Sequence, residues 1–595
     1  MVRLRVRVFS VLRRSVVYEW RDGEAYLRIR LPVYGEILLP SFLESLLHDR
    51  SLRRLQYVRQ LSAVYLHLPG AQGSRLEHCL GVAYLAHVFL SRSDVMNTIR
   101  GALLSILKKH GVQVSDQEAA RLVECIIKVL VILSLIHDVF HPLWSHAVED
   151  YVFESIKKVL DPPLRDKFRR KHVDKVLLFI ALADHPAAEY IRREVKYLRE
   201  FNLLIKRYLS QSLKFDREEL ALFNLAVAAL LLDDPKDPRD MEIVDCIVRN
   251  FGQNDSRMLL QEIFSLILYP LVKLLLDDII LDFDRLDYVN RDSLHVYGIN
   301  QRIPWKEIIN NIRLDISTDN KIIATIDSHI KPLIYEFFYA RLDNYVRIYK
   351  SVRTIAYEEA LLHIVYAVMS VKRWFSGTGG DGEGEPSYTK LLDLFFSTDE
   401  ALRLEVYTVV KKLKKERGQL RIAVAKYIET LFNRVEEGRE IVTRHLPDVK
   451  LENVHDFCKK FEYEIAISSV LVRDEQICKH ICEQLGLDDC EYVRKLVREV
   501  QGDCSVTGLP IVFVHVLLLR QSSSRQNGAE KICSNVIYEK KSKDVAEKLC
   551  LSVEVPEVLH GTYLVLPFVS KEESERVVSL VLNVLSEYVR GLMTS

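Results

Sequence analysis

From Ser41 to about Phe375 apolar residues recur three and four positions apart with few Gly or Pro between them, as in "SFLESLLHDRSLRRLQYVRQL", "LEHCLGVAYLAHVFL" and "YEEALLHIVYAVMSVKRWF". That spacing lays one apolar stripe along a helix and predicts a mainly α fold. Two stretches break the period. The N-terminal "MVRLRVRVFS" alternates Arg with Val or Leu, as a half-exposed strand does, and residues 313–327, "RLDISTDNKIIATID", read as a small β hairpin turning at Asp319 and Asn320. Residues 376–387, "SGTGGDGEGEPS", are of low complexity, and their glycines and acids predict a flexible loop or linker. Beyond them residues 388–500 return to the helical period. The remainder is mixed: "LPIVFVHVLLL" and "GTYLVLPFV" read as strands, and Ser570 with Glu573 forms a capping box opening a last helix.

At 595 residues the chain can hold several compact units. Its composition, 49% hydrophobic and 28% charged, is that of a globular protein, and a formal charge of +1 offers no general field for nucleic acid or an anionic membrane. Any phosphate chemistry must then rest on a local basic site. The apolar runs Val129 to Ile136 and Leu220 to Leu232 fall short of the roughly 20 residues of a membrane helix. The N-terminus lacks the apolar core of a signal peptide, so a cytoplasmic protein without a membrane span is expected. Ten cysteines in so long a chain do not make a disulfide scaffold, and Cys478, Cys482, Cys490 and Cys504 contain no CxxC pair that would point to zinc.

Candidate chemistry concentrates in "SLIHDVFHPLWSH", residues 134–146, at the end of an apolar run. His137 and Asp138 are adjacent and would point about 100° apart on a regular helix, so they could share an ion only where the helix ends. Pro142 is expected to provide that end. A lone His-Asp pair is most often a capping or core pair; the nearby His141 and His146 favour a ligand role. His78, in "SRLEHCLGVAYLAH", and Asp284, in "LDFDRLDYVNRD" with further carboxylates at 282, 287 and 292, could complete it. His78, His137, Asp138 and Asp284 make a mixed nitrogen and oxygen set suited to a divalent Mn, Fe, Mg or Zn ion.

Four blocks in order, "VYGEILLPSFLESLLHDRSLRRLQYVRQL", "LPGAQGSRLEHCLGVAYLAH", "HDVFHPLWSH" and "DFDRLDYVNRDSLHVYGI", resemble the HD-domain phosphohydrolases and, within them, the deoxynucleoside triphosphate triphosphohydrolases. The resemblance covers about residues 31–370. It divides the chain into a strand-like segment 1–30, an HD domain 31–375, the glycine-rich stretch 376–387, and a helical then mixed α/β region 388–595. It implies a helical HD core with a small β hairpin, a divalent ion on His78, His137, Asp138 and Asp284, and hydrolysis of a deoxynucleoside triphosphate to deoxynucleoside and triphosphate. Arg75, His141, His146, Arg285, Tyr288 and Asp292 fall where the family contacts triphosphate or sugar, with His146 also turned toward the attacking water. Arg341 would meet the γ-phosphate, Tyr349 would stack under the sugar, and Gln60 and Leu61 would discriminate the deoxyribose.

His172 matches the family's catalytic histidine, which would protonate the departing 5′-oxygen, and Glu149 stands where an aspartate orients it. Other departures are Phe140 for a glycine beside the metal, Tyr345 for a sugar-proximal histidine and Arg285 for a phosphate lysine. The resemblance also implies a homo-oligomer, dimer or tetramer, with a nucleotide substrate. Two alternatives stand beside it. One is hydrolysis of another phosphoester, a monophosphate or cyclic nucleotide, which would not need Arg285, Tyr288, Arg341 and Tyr349. The other is a non-catalytic nucleotide-binding scaffold, which would have no reason to keep four metal ligands. A nucleic-acid role would require binding that falls steeply with salt.

Overall fold

The computed structural model describes residues 17–21, 24–149, 152, 172–249, 254–300, 302–349, scattered positions within 351–368, 395–415, scattered positions within 425–437, and strands at 442–445, 512–515, 530–540, 546–553 and 562–566. The N-terminal Arg/Val alternation, the glycine-rich stretch, the four spaced cysteines and the Ser570 capping box lie outside these residues.

The helices that frame the site are α1 (Arg75–Leu90), α2 (Ser93–Lys109), α3 (Asp116–Ile136), α4 (Val173–Leu182), α5 (Lys196–Arg207), α6 (Arg217–Ala229), α7 (Tyr269–Leu276), α8 (Phe283–Tyr297), α9 (Lys331–Asn344) and α10 (Asp399–Lys415). Local signals set their starts. Ser115 and Glu118 form a reciprocal capping box on α3, and the side chains of Ser74 and Asp282 cap α1 and α8. From Val129 to Ile136 every residue of α3 is buried, because that half of the helix is apolar on all sides and runs through the centre of the fold. Helices α1, α2, α6 and α7 pack around it, and α8 lies between α1 and α9.

The strands are β1 (Val17–Arg21), β2 (Glu24–Leu31), β3 (Gly35–Pro40), β4 (Arg313–Ile316), β5 (Ile322–Asp327), β6 (Val442–His445), β7 (Val512–His515), β8 (Glu530–Lys540), β9 (Ala546–Val553) and β10 (Thr562–Leu566). In the β1-β2-β3 meander Leu27 faces Leu39 and Ile29 faces Ile37, all buried, so one face sits on the helices while Arg28 and Arg30 reach solvent. The expected hairpin is β4-β5, with Asn320 in its turn at φ 61°. It is half of a larger sheet: β5 pairs in parallel with β8, and β8 pairs antiparallel with β9, joined by a Cys533–Cys550 disulfide. A third sheet has the order β6-β10-β7.

The strand β6 falls in the segment expected to be helical throughout, and β8-β9 has no counterpart in the sequence reading. Residues after the glycine-rich stretch continue the same core, since Phe395, Phe396 and the α10 residues Leu402, Val406 and Leu413 are buried in it. One run, Ser256–Leu276, is 21 residues long and apolar enough to cross a membrane, which the sequence reading placed beyond any segment of the chain; 72% of its 18-residue apolar window is buried inside the fold.

Candidate metal centre

Three of the four expected ligands, His78, His137 and Asp284, bring their ligand atoms within 4.8 Å of one another; Asp138 lies beside both imidazoles but groups with His141 and Asp174 in a second such cluster. His78 comes from α1, His137 caps the end of α3 with Asp138 in the next turn, and Asp284 lies in the first turn of α8. His78 Nε2 is 3.0 Å from Asp284 Oδ1 and 3.6 Å from Asp138 Oδ2, while His137 Nε2 is 3.3 Å from Asp138 Oδ1 and 3.8 Å from Asp284 Oδ1. Both imidazoles are oriented from behind. Nδ1 of His137 donates to the Ser134 carbonyl at 2.9 Å, and Nδ1 of His78 to Asp287 at 2.7 Å, so each ring turns Nε2 inward. His137 Nε2 is buried with no hydrogen bond among the described residues. Burial opposes charge on His78, yet Asp284 and Asp287 outweigh it and raise its pKa to about 10; an arriving cation would displace that proton. Two inward imidazole nitrogens and two carboxylates fit a divalent ion.

The turn after the His-Asp pair is built differently from the expectation. Helix α3 stops at Ile136, well before Pro142, and Val139 and His141 donate back to Ile136 and Asp138 in successive tight turns at 2.9 and 3.0 Å. Arg54 holds that turn from outside: its guanidinium donates to the carbonyls of Val139 and His141 at 2.5 and 2.7 Å and to the Tyr197 hydroxyl at 3.0 Å. Phe140, where a glycine was expected, is fully buried and packs edge-on against Tyr197, Phe201 and Phe396 at 5.8, 5.1 and 5.7 Å. The ring points away from the ligands and fills an aromatic cluster, so the turn tolerates it.

Arg75, expected at the triphosphate, is buried and turned toward the metal ligands. It donates to Asp138 Oδ2 at 2.7 Å and to Ser145 Oγ. Against burial, His137, His141 and Arg75 hold Asp138 ionised, its pKa well below the usual carboxylate range. His141 is buried between carboxylates, 3.3 Å from Asp138, 3.0 Å from Glu149 and 3.8 Å from Asp174; burial and Arg75 oppose its charge, but Asp138 and Asp174 bring its pKa to about 9. The other oxygen of Glu149 lies 3.9 Å from His172 Nδ1, and His172, just before α4, is 66% exposed. Glu149 thus bridges the interior and the expected acid. His146 belongs to the short turn Ser145–Val148, and its side chain lies outside the described residues.

The remaining expected contacts form one wall. Arg285 is engaged by the Asp282 carboxylate and the Asp278 carbonyl. Arg341, at the end of α9, donates to the Tyr288 hydroxyl at 3.1 Å and to the Ile279 carbonyl at 3.0 Å. Tyr349 donates to Asp292 at 2.5 Å and lies edge-on to Tyr288, their ring centres 6.1 Å apart. Burial raises Asp292 to about 6 despite that bond. Tyr345, the departure from the family histidine, is edge-on to Tyr349 at 6.3 Å. Leu61 packs in a small cluster with Ile348 and Tyr349, and the adjacent Gln60 has its side-chain oxygen buried without a hydrogen bond among the described residues.

The sequence reading gave no role to Asp287, Asp174, Arg54 or Asp399. Asp287 had a signal, since it lies three residues after Asp284 on one helical face; it orients His78 while accepting from Arg291 and from Tyr34 of the meander. Gly81, one turn beyond His78, makes room for it: a Cβ there would stand 1.9 Å from Asp287 Oδ1 and 2.5 Å from Arg291. Gly81→Ala is therefore expected to destabilise the chain by about 1–3 kcal/mol, the cost of overpacking. It should also weaken ion binding, because Asp287 must leave His78. A thermal melt with an ion titration checks both, and an unchanged ion affinity would show that Asp287 does not hold the histidine in register.

No family model matches the chain. Among curated proteins it is 25% identical over 454 residues to human deoxynucleoside triphosphate triphosphohydrolase SAMHD1, covering 71% of this chain and 60% of that protein. To SAMHD1 of Xenopus laevis it is 24% identical over 397 residues, 64% of this chain and 54% of that one. An HD domain-containing protein of Acanthamoeba polyphaga mimivirus is 27% identical over 124 residues, 21% of this chain and 25% of the viral protein. The chain thus spans somewhat over half the length of the SAMHD1 proteins it matches. A crystal structure of a phosphohydrolase from Bacteroides thetaiotaomicron superposes with a TM-score of 0.42 at 14% identity, covering 91% of this chain and 100% of that one, too loosely to argue from. In sequence the chain is thus similar to the SAMHD1 deoxynucleoside triphosphate triphosphohydrolases and, over a shorter stretch, to an HD domain-containing protein, and its core brings His78, His137 and Asp284 together.

Proposed function

We propose that the chain is a metal-dependent phosphohydrolase that converts deoxynucleoside triphosphates to deoxynucleoside and triphosphate. The observation that carries the reading is the pair of inward-facing imidazoles, His78 and His137, closed by Asp138 and Asp284 in a buried site. A divalent ion held there would lower the pKa of a water and polarise a phosphoryl oxygen. The chain's own residues would do the rest. Phosphoryl transfer needs mainly alignment and charge neutralisation. Arg341 and Arg285 stand on the wall beside Tyr288, where a polyphosphate would replace their present carbonyl and carboxylate acceptors with charge-assisted bonds. Tyr349 and Leu61 offer an apolar floor, and the Gln60 amide a polar group, for the sugar. Arg75 keeps Asp138 ionised and in place, a supporting role. A homo-oligomer, which the family resemblance implies, and a cytoplasmic location are part of the proposal, and neither rests on the geometry of the site.

Incubation of purified protein with each deoxynucleoside triphosphate, ribonucleoside triphosphate, monophosphate and cyclic nucleotide, with Mn, Fe, Mg and Zn varied, tests this. Intact triphosphate is the expected product. Inorganic phosphate from a monophosphate or ring opening of a cyclic nucleotide would replace the substrate class, and no turnover with any ion would leave a binding protein.

A further inference from the structure

Asp399, the first residue of α10, lies beyond the glycine-rich stretch and is fully buried. One of its oxygens accepts from the backbone N–H of Trp144 at 2.7 Å; the other accepts from the backbone N–H of Arg59 at 3.0 Å and from that residue's guanidinium at 3.4 Å. A single carboxylate therefore ties together two segments that both reach Arg75. On one side Trp144 and Ser145 each have φ 51°, two successive non-glycine residues in a sparsely populated conformation that persists only where neighbours fix it. Ser145 then presents Oγ to Arg75, which holds the Asp138 carboxylate. On the other side Arg59 leads into Gln60, whose N–H donates to Gly73 at 2.8 Å, while Arg75 N–H donates to Val58 at 2.9 Å.

The neighbours of Asp399 bind the same turn. Phe395 accepts from the Leu143 N–H at 2.9 Å, Ser397 accepts from Arg54 at 3.3 Å, and Phe396 stacks on Tyr197 at 4.7 Å beside Phe140. Five consecutive residues, 395–399, thus form a strap across the outside of the loop that follows the His-Asp pair.

We infer that Asp399 is a positioning residue for the metal centre, fixing the left-handed Trp144–Ser145 backbone and through Ser145 and Arg75 the orientation of Asp138. The inference rests on the reading of His78, His137, Asp138 and Asp284 as ion ligands. It makes the start of the C-terminal region part of the catalytic unit, with no contact to substrate or ion required. A purely structural role would lower stability without touching the centre; a positioning role shows in ion affinity and in the loop.

The test uses the full chain with Asp399→Ala and, because that change empties a buried site, Asp399→Asn, which keeps the volume and one acceptor. Hydrogen exchange of the 143–145 amides is read by mass spectrometry alongside titration with Mn. Asp399→Ala is expected to speed exchange in that segment and to weaken Mn binding about tenfold, the lower end of what loss of a supporting partner costs a metal site. Turnover should fall at limiting Mn and recover in part at high Mn. Asp399→Asn should fall between. Unchanged exchange and Mn affinity in both variants overturn the inference. Absence of Mn, Fe, Mg and Zn binding by the unsubstituted chain would instead overturn the metal-centre reading, and the inference with it.

Discussion

A chain carrying His137→Ala together with Asp284→Asn is expected to lose its divalent ion and all measurable phosphohydrolase turnover while keeping its helical fold. The choice of pair follows from magnitudes. Asp138→Ala would strand the buried Arg75 guanidinium, whose closest carboxylate partner is Asp138 at 2.7 Å, and breaking a buried ion pair in this way costs about 3–5 kcal/mol. A loss of activity could then be a loss of folding. His137 by contrast spends one ring nitrogen on the Ser134 carbonyl, and the other makes no hydrogen bond among the described residues, so alanine forfeits one bond of about 0.5–1.5 kcal/mol, leaves a small cavity and removes the attraction to Asp138 and Asp284, the second of which the Asn substitution makes neutral. Asn at 284 keeps shape and volume and removes the charge that an ion requires. Metal content after purification, circular dichroism and the nucleotide assay together decide it: a folded double variant that retains both ion and turnover would sink the metal reading.

The candidate ligands were legible because each stands in a short block with its own local signal: a helical His beside Arg75, an apolar helix ending in His-Asp, a carboxylate-rich helix start capped by Asp282. Helix and hairpin periods likewise follow from neighbours in sequence. What was not legible depends on distant partners. Phe140 made no sense beside a metal until Tyr197, Phe201 and Phe396 closed around it from three separate segments. The family resemblance marks Arg75 and Arg285 as site cations but cannot say that Asp138 and Asp282 already hold them. The parallel pairing of β5 with β8 joins residues more than two hundred positions apart, and no local pattern encodes such a partner. Asp399 follows a stretch that reads as a boundary, so its bonds to Trp144 and Arg59 had no sequence signature at all.

His172→Ala is expected to lower kcat by about 10²- to 10⁴-fold with KM nearly unchanged, the range that a positioned general acid contributes. In the proposed reaction water adds to the α-phosphorus, the bond to the 5′-oxygen breaks, and that oxygen leaves with a proton supplied by His172. The geometry is open to the role: His172 is 66% exposed, with Glu149 3.9 Å from its Nδ1. The neighbouring Glu149 carboxylate raises the pKa of His172, which favours the protonated form that an acid needs. Being exposed, the side chain contributes little to stability, so a large fall in turnover would not come from unfolding. The leaving group separates acid catalysis from mere packing. A nitrophenyl ester of triphosphate departs without needing a proton, so on it the His172→Ala defect should shrink to less than about tenfold, while the deoxynucleoside substrate keeps the full loss. Equal losses on both substrates would assign His172 to binding or loop structure, and an unchanged kcat would remove it from the reaction.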